Sequence, residues 1–389
     1  AGAMYLARSQ PEALALALLS MCCWGSWSNT LVYCGDSLRF ELYYLDFSFG
    51  VLLTALLFAL SLGMLGIEGC SPSQWIPNDW EVSTKKMALA AAAGAIFNVA
   101  NLLLVKGIQM CGLAVAFPLG IGTALVLGTV LTHVMEASSG GDTTRLYLGV
   151  GVAFAAVCTT SLVHRLKDAA AAKDADEDGT QAEGRPEDSP MVDEGAGSPS
   201  GSSRSTSTAA QGSEKASGGM MICIIGGVLM SLWSPLNARA QDGFGQEAGE
   251  ARGGPGLSPY GAFFVFSLGI VLSSKLLVPL SLSFPLDKGE PVPLSVAAGD
   301  YTSAPCKAHA FGLIGGLVWA AGTLSNAISG QALSFAASYA IGQSAPMIAM
   351  CWGIFHFNEF DGAPCNVKNL LGLVFMLYIL SIGLIATSH

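Results

Sequence analysis

The sequence predicts an all-α membrane protein of about ten transmembrane helices, built as two inverted five-helix repeats. Three observations carry this expectation. Of the 389 residues, 52% are hydrophobic and 12% are charged, against about 25% charged in a soluble domain. The apolar residues gather into runs of the roughly 20 residues that a helix needs to cross the hydrocarbon core. One polar central segment separates those runs into five and five.

The spans are expected at 12–33, 43–65, 87–109, 113–134, 145–163, 219–236, 259–282, 309–330, 336–357 and 367–386. The first run, Ala13–Val32, is too long for a signal peptide, and no small-residue cleavage site follows it, so it reads as a retained span. Met110–Gly112 and Gln331–Phe335 leave so little chain between runs that they imply antiparallel hairpins. Arg165–Ser217 is rich in Ala, Gly, Ser, Asp and Glu. It has too few large apolar groups to offset chain entropy and is expected to be disordered. The domain boundaries that follow are 1–164, a 165–217 linker, and 218–389.

The two halves show a faint repeat. Gly94–Thr129 lies on Gly316–Cys351 without a gap, placing Phe97 on Trp319, Phe117 on Tyr339 and Gly120 on Gly342. Gly25-Ser26-Trp27-Ser28 likewise resembles Ser231-Leu232-Trp233-Ser234. An odd number of spans per half inverts the second copy relative to the first, an arrangement that places a site at the bilayer midplane.

Several function classes are excluded or disfavoured. Half of the net charge of −10 falls in the central segment, and no basic patch is interleaved with aromatics, so nucleic acid is not an expected partner. His133, His164, His309, His356 and His389 have no partner at i+4, and no Cys-x-x-Cys spacing occurs among the 10 cysteines. Cys306 and Cys365 lie on one expected side and read as two free thiols, with a disulfide as the alternative. No phosphate-binding loop is present. No metal, cofactor or enzymatic activity is expected.

The informative residues are polar groups inside the spans, because a polar group facing lipid is costly. Trp24, Trp27 and Asn29 end the first span, and Asn98 and Asn101 lie on the third. Trp233 lies on the sixth, Trp319 and Asn326 on the eighth, and Tyr339 and Gln343 on the ninth. Indole faces stack on rings and amides read donors and acceptors, so this set suits a neutral, ring-shaped solute. The competing role for each residue alone is an interfacial anchor or interhelical glue. Glu41 and Asp46 enter the second span and are the candidates for proton coupling, with a helix cap as the alternative for Asp46. Pro118 and Pro346 interrupt the fourth and ninth spans and would kink them.

Trp24-Gly25-Ser26-Trp27-Ser28-Asn29-Thr30, followed by Arg39-Phe40-Glu41-Leu42-Tyr43-Tyr44-Leu45-Asp46, resembles the first hairpin of the ureide permease family. Gly315–Glu359, with Trp319, Gly322, Asn326 and Cys351-Trp352-Gly353-Ile354-Phe355, resembles its eighth and ninth spans and is similar to bacterial glucose and rhamnose porters. These groups belong to the drug/metabolite transporter superfamily. The resemblance implies ten helices in two inverted repeats and proton-coupled uptake of ureides such as allantoin, of uracil, or of oxo-purines. Plant members carry a nucleotide-loop-like motif in the central loop, which this chain lacks.

The resulting expectation is a secondary active transporter working by alternating access, with a small solute, a proton and the lipid bilayer as partners. A sugar transporter is the runner-up, and a non-transporting sensor or scaffold is the third reading. A plasma-membrane location with a cytosolic linker is the expected setting.

Overall fold

The computed structural model describes residues 4–64, 79, 84–136, 141–183, 204–244, 255–284 and 290–388. All regular elements among them are helical. In chain order they are α1 (Gln10–Ser26), α2 (Asn29–Cys34), α3 (Phe40–Leu60), α4 (Thr84–Cys111), α5 (Leu113–Ala116), a π-turn at Phe117–Gly122, and α6 (Thr123–Met135). Then follow α7 (Thr143–Glu183), α8 (Arg204–Gln241), α9 (Pro259–Ser283), α10 (Leu294–Ser303), α11 (Cys306–Gly330), α12 (Phe335–Gly342), α13 (Ala345–Phe355) and α14 (Cys365–Ala386).

Local chemistry accounts for several ends. Ser9 accepts a hydrogen bond from the Glu12 amide at the start of α1, and Pro11 suits the first helical turn. Ser258 caps α9 through the Gly261 amide, while Asp79 accepts from the Ser258 amide and hydroxyl at 2.8 and 2.6 Å. Gly35 and Gly112 adopt positive φ at the turns that end α2 and α4.

Among the described residues, eight helices are long and apolar enough to cross a bilayer: α3, α4, the π-turn with α6, α7, α8, α9, α11 and α14. Their outward faces carry Leu53, Leu57, Leu272, Leu276, Met376 and Ile379, all exposed, as a lipid-facing surface requires. The chain is an integral, multi-pass membrane protein.

The first expected span is not one continuous helix, and the ninth, expected to be kinked at Pro346, is broken outright. Each is broken into two pieces, α1 with α2 at Trp27–Ser28, and α12 with α13 at Gln343–Ser344. Pro346 stands in the first turn of α13 rather than inside a kinked helix, where its missing N–H costs nothing. Pro118 lies in the π-turn, which relieves the clash of its ring with the preceding turn.

The central segment also needs correction. Residues 165–183 and 204–217 continue α7 and α8, where lack of structure was expected. The reason is composition, because the alanines, Lys and Glu there are good helix formers as well as poor core formers. Residues 184–203 of that segment lie outside the described residues. Cys306 and Cys365 are both free thiols.

Two close crossings set the interior. On α4 and α9, a side chain at Gly94 would overlap the Phe266 carbonyl, and one at Gly269 would overlap the Ala91 carbonyl. On α3 and α11, a side chain at Gly50 would overlap the Leu313 carbonyl, and one at Gly316 the Phe47 carbonyl. Small residues let the backbones approach in each case. The aromatic core lies between these two crossings.

Candidate functional site

A cavity of about 770 Å³ runs inward from the face where α2 ends and α3 begins. That volume falls within the usual range for a small-molecule pocket, roughly 300–1,000 Å³. Both broken spans supply wall. Trp24, Gly25, Trp27 and Ser28 come from the first break, and Gln343, Ala345 and Pro346 from the second. Ile121 from the π-turn, with Phe97, Asn101, Met230, Trp233 and Trp319, completes the inner part, and Asp36 and Arg39 stand at the outer end.

The inner wall is a connected set of rings. Phe97 stacks on Trp319 with ring centroids 4.5 Å apart. Trp233 meets Trp24 edge-on at 5.9 Å and Phe97 at 6.1 Å. Behind them, Phe47 supports Trp27 at 4.9 Å and Phe266 supports Trp233 at 5.7 Å. Such contacts hold each ring in one orientation, so the faces offered to a solute are preorganised.

The polar atoms are few. The Trp24 indole N–H donates to Thr323 Oγ1 at 3.1 Å, which fixes that ring. Asn101 Nδ2 donates to the Tyr44 hydroxyl at 3.1 Å, orienting the amide at the wall. The Trp233 Nε1 is buried with no hydrogen-bond partner among the described residues. A buried donor without a partner costs about 1–3 kcal/mol.

On the opposite face the helix ends are tied by hydrogen bonds. Glu136, after α6, accepts from the Phe335 amide at 2.8 Å and the Ala336 amide at 3.4 Å, capping α12 together with Ser334. Gln331 Nε2 donates to Gln241 Oε1 at 3.1 Å beside it. Burial pushes the Glu136 carboxyl above its ordinary range, against the lowering effect of the two amides.

Of the residues expected at the site, Trp24, Trp27, Asn101, Trp233, Trp319 and Gln343 line the cavity. Asn98, Asn326, Tyr339 and Asn29 do not. Asn98 Nδ2 donates to the Ile270 carbonyl, Ser273 Oγ and Ser274 Oγ, tying α4 to α9. Asn326 Nδ2 donates to the Ser338 carbonyl at 2.7 Å, and the Ser338 hydroxyl returns a bond to the Asn326 carbonyl at 2.8 Å. The Tyr339 hydroxyl donates to the Ala124 carbonyl at 3.1 Å, though its ring still backs Trp233. Asn29 begins α2 with its Nδ2 buried and unpartnered among the described residues.

The two acids also part company. Glu41 pairs with Arg39 at 3.4 Å near the cavity's outer end. Asp46 is buried behind the wall, where its carboxylate accepts from the Tyr301 hydroxyl and lies 2.7 Å from His309 Nδ1. Sequence reasoning missed His309 and Tyr301 because their partner lies on another helix. Phe97 was missed as a wall residue although its alignment with Trp319 pointed to it.

The family model described as ureide permease matches residues 43–189 and 204–388, well over half of the chain. The chain belongs to the ureide permease family. Ureide permease 4 of Arabidopsis thaliana is 24% identical over 420 residues, covering 99% of each chain. Ureide permease 5 of the same plant is 26% identical over 407 residues, covering 99% of this chain and 96% of its own. Ureide permease 2 is 24% identical over 409 residues with 99% coverage of both. A permease moves its solute without converting it, so no catalytic constellation is required of these residues.

Proposed function

We propose that this chain is a proton-coupled secondary transporter of ureides, uracil or related oxo-purines, working by alternating access in the plasma membrane with the central segment in the cytosol. The Phe97–Trp319 stack in the wall of a cavity that also carries Asn101 and Gln343 supports the solute reading. A flat ring with carbonyls along its edge can lie against the rings. Asn101 and Gln343 are placed to read that edge, and Trp24 and Trp27 to close over it. The names of the relatives agree with that chemistry.

The ten-helix, two-repeat architecture completes the proposal. The Gly94/Phe266 and Gly269/Ala91 crossing has a counterpart in Gly316/Phe47 and Gly50/Leu313. The α4–α8 contact likewise matches the α11–α1 contact, and the α6–α8 contact matches that of α12 and α13 with α1. Shifted by one repeat, Phe97 falls on Trp319 and Ile121 on Gln343, all four at the cavity wall. The π-turn and the α12–α13 break fall on each other in the same way. Two copies related by a two-fold axis through the cavity account for this pattern. Counting α1–α2 and α12–α13 as spans brings the total to ten. Exchanging the open and closed faces between the repeats would alternate access.

Counterflow into liposomes loaded with allantoin, uracil or xanthine tests the function, with glucose and rhamnose in parallel. Exchange of one of the heterocycles is expected. Exchange of the sugars alone would replace this reading with a sugar transporter. Deleting 184–203 is expected to leave exchange intact, and its loss would favour a sensor or scaffold.

A further inference from the structure

Asp46, His309 and Tyr301 form a closed hydrogen-bonded ring beside the cavity, on α3, α11 and α10. The Tyr301 hydroxyl donates to Asp46 Oδ1. His309 Nδ1 stands 2.7 Å from Asp46 Oδ2, and His309 Nε2 stands 3.0 Å from the Tyr301 carbonyl oxygen. Burial, then the hydrogen bond and charge of Asp46, pushes the Tyr301 phenol well above its ordinary range, so it remains a donor.

Counting protons across this ring gives a definite answer. The Tyr301 carbonyl is an acceptor only, so the Nε2 contact needs its hydrogen on the imidazole. The Nδ1–Oδ2 contact needs another hydrogen between its two atoms. A neutral imidazole carries one N–H, and a carboxylate carries none. The deprotonated pair can therefore satisfy one of the two contacts, leaving two lone pairs facing each other at the other. Adding one proton satisfies both, whether it is written as imidazolium with carboxylate or as imidazole with carboxylic acid.

The ring is linked mechanically to the cavity wall. One turn before Asp46, the Tyr43 hydroxyl lies 2.6 Å from Thr30 Oγ1, and Thr30 donates to the Trp27 carbonyl at 2.7 Å. Because the Thr30 hydrogen is used on Trp27, Tyr43 is the donor of the pair. Phe47, next after Asp46, packs on the Trp27 ring. Helix α11 rides on both parts, since a side chain at Gly312 would strike Asp46 Cβ at 2.5 Å and one at Gly315 would strike Thr30 Oγ1 at 2.5 Å.

We propose that Asp46, His309 and Tyr301 are the proton-binding site of this transporter. One proton is held between His309 Nδ1 and Asp46 Oδ2 while the cavity is open on this face. Its loss breaks one contact of the ring, frees the start of α11 from α3, and moves the Trp27–Ser28 break that bounds the cavity. The proton enters and leaves as H⁺, with no other bond made or broken. This inference rests on the transport reading above.

The remaining ionisable groups on the elements packed around the ring are Glu41, Tyr43 and Tyr44 on α3, and Tyr33 and Cys34 on α2. Asp300 lies on α10, Cys306 and Lys307 on α11, and Tyr260 and Lys275 on α9. Glu41 is paired with Arg39, and Lys307 lies over the Phe311 ring at 5.6 Å. Asp300 and Lys275 are exposed.

The test uses the full chain in liposomes with two readouts. The first is accumulation of labelled uracil or allantoin under an imposed pH gradient, compared with counterflow at equal pH. The second is a pH titration of fluorescence without solute, in a variant that keeps Trp27 and carries Phe at the other six tryptophan positions. Asp46→Asn and His309→Gln are expected to abolish the titration step and to weaken accumulation at least tenfold more than counterflow. Asp300→Asn is expected to match the wild type in both. If Asp46→Asn and His309→Gln keep the step and the wild-type accumulation ratio, the proposal is overturned. Should either fail to fold, Tyr301→Phe decides. Loss of one donor to the carboxylate must move the midpoint, and an unmoved midpoint also overturns the proposal. A wild type that shows the step, and variants that lose it, with no counterflow of any solute, would sink the transport reading while leaving the proton site standing.

Discussion

Phe97 and Trp319 stack against each other at 4.5 Å in the cavity wall, each contributed by the helix that pairs with the other in the repeat alignment. A solute that lies on this stack gains contact with both halves of the molecule at once. That is the geometry needed if the two halves are to exchange roles during transport.

Trp319→Ala is expected to raise the counterflow KM at least about tenfold, since an aromatic pair contributes about 0.5–1.5 kcal/mol beyond its buried area. Trp319→Phe should recover much of the loss. Equal KM values for the alanine variant and the wild type would place the solute elsewhere.

Trp233→Phe keeps a ring and removes the orphaned N–H. Because that N–H is out of reach of the cavity, the affinity for an oxo-heterocycle is expected to hold. In the absence of solute, the melting temperature should hold or rise, because a buried unpartnered donor has gone. A loss of affinity of about tenfold would show instead that the N–H turns to the solute.

Gly94→Ala and Gly316→Ala each place a methyl group against a facing backbone carbonyl, where neither helix can yield without separating. Both variants are expected to lose most of their folded yield in size-exclusion profiles of detergent extracts. Gly151→Ala and Gly372→Ala, with open space around each position, should behave as wild type.

Glu136 predicts a pH dependence of stability. Its carboxyl is raised in the folded chain, chiefly by burial. The folded state therefore holds this proton to a higher pH than the unfolded chain does. The stabilisation from this proton is present below the unfolded value and is lost as pH rises through the raised folded value. Glu136→Gln keeps an acceptor for the Phe335 amide and removes the ionisation. Thermal unfolding of this variant is expected to show a flatter pH slope above the ordinary carboxylate range. An unchanged slope would remove Glu136 as its source.

Much of the helical frame was legible because an uninterrupted apolar run has few alternatives to a span. The first and ninth spans were less so. Nothing in the composition of Trp27–Ser28 or Gln343–Ser344 distinguishes a broken helix from a bent one. The site was legible by residue type and only in part by residue. Asn98 and Asn101 sit less than one turn apart on α4, yet one ties helices together and the other faces the cavity. Which face of α4 meets α9 is decided by Gly94 and Gly269 crossing backbones, a relation between distant positions. His309 was invisible for the same reason. Its partner stands 263 positions away in the chain.

The two broken spans also govern how this molecule would be mapped from outside. Under the ten-helix reading, a survey that counts the eight long helices alone still returns both termini to one face, so a terminal tag would raise no alarm. Between the two omitted spans, however, every connecting loop would be assigned to the wrong compartment. A glycosylation acceptor inserted between Ser303 and Cys306 would expose the error, because its modification reports the true side of α10.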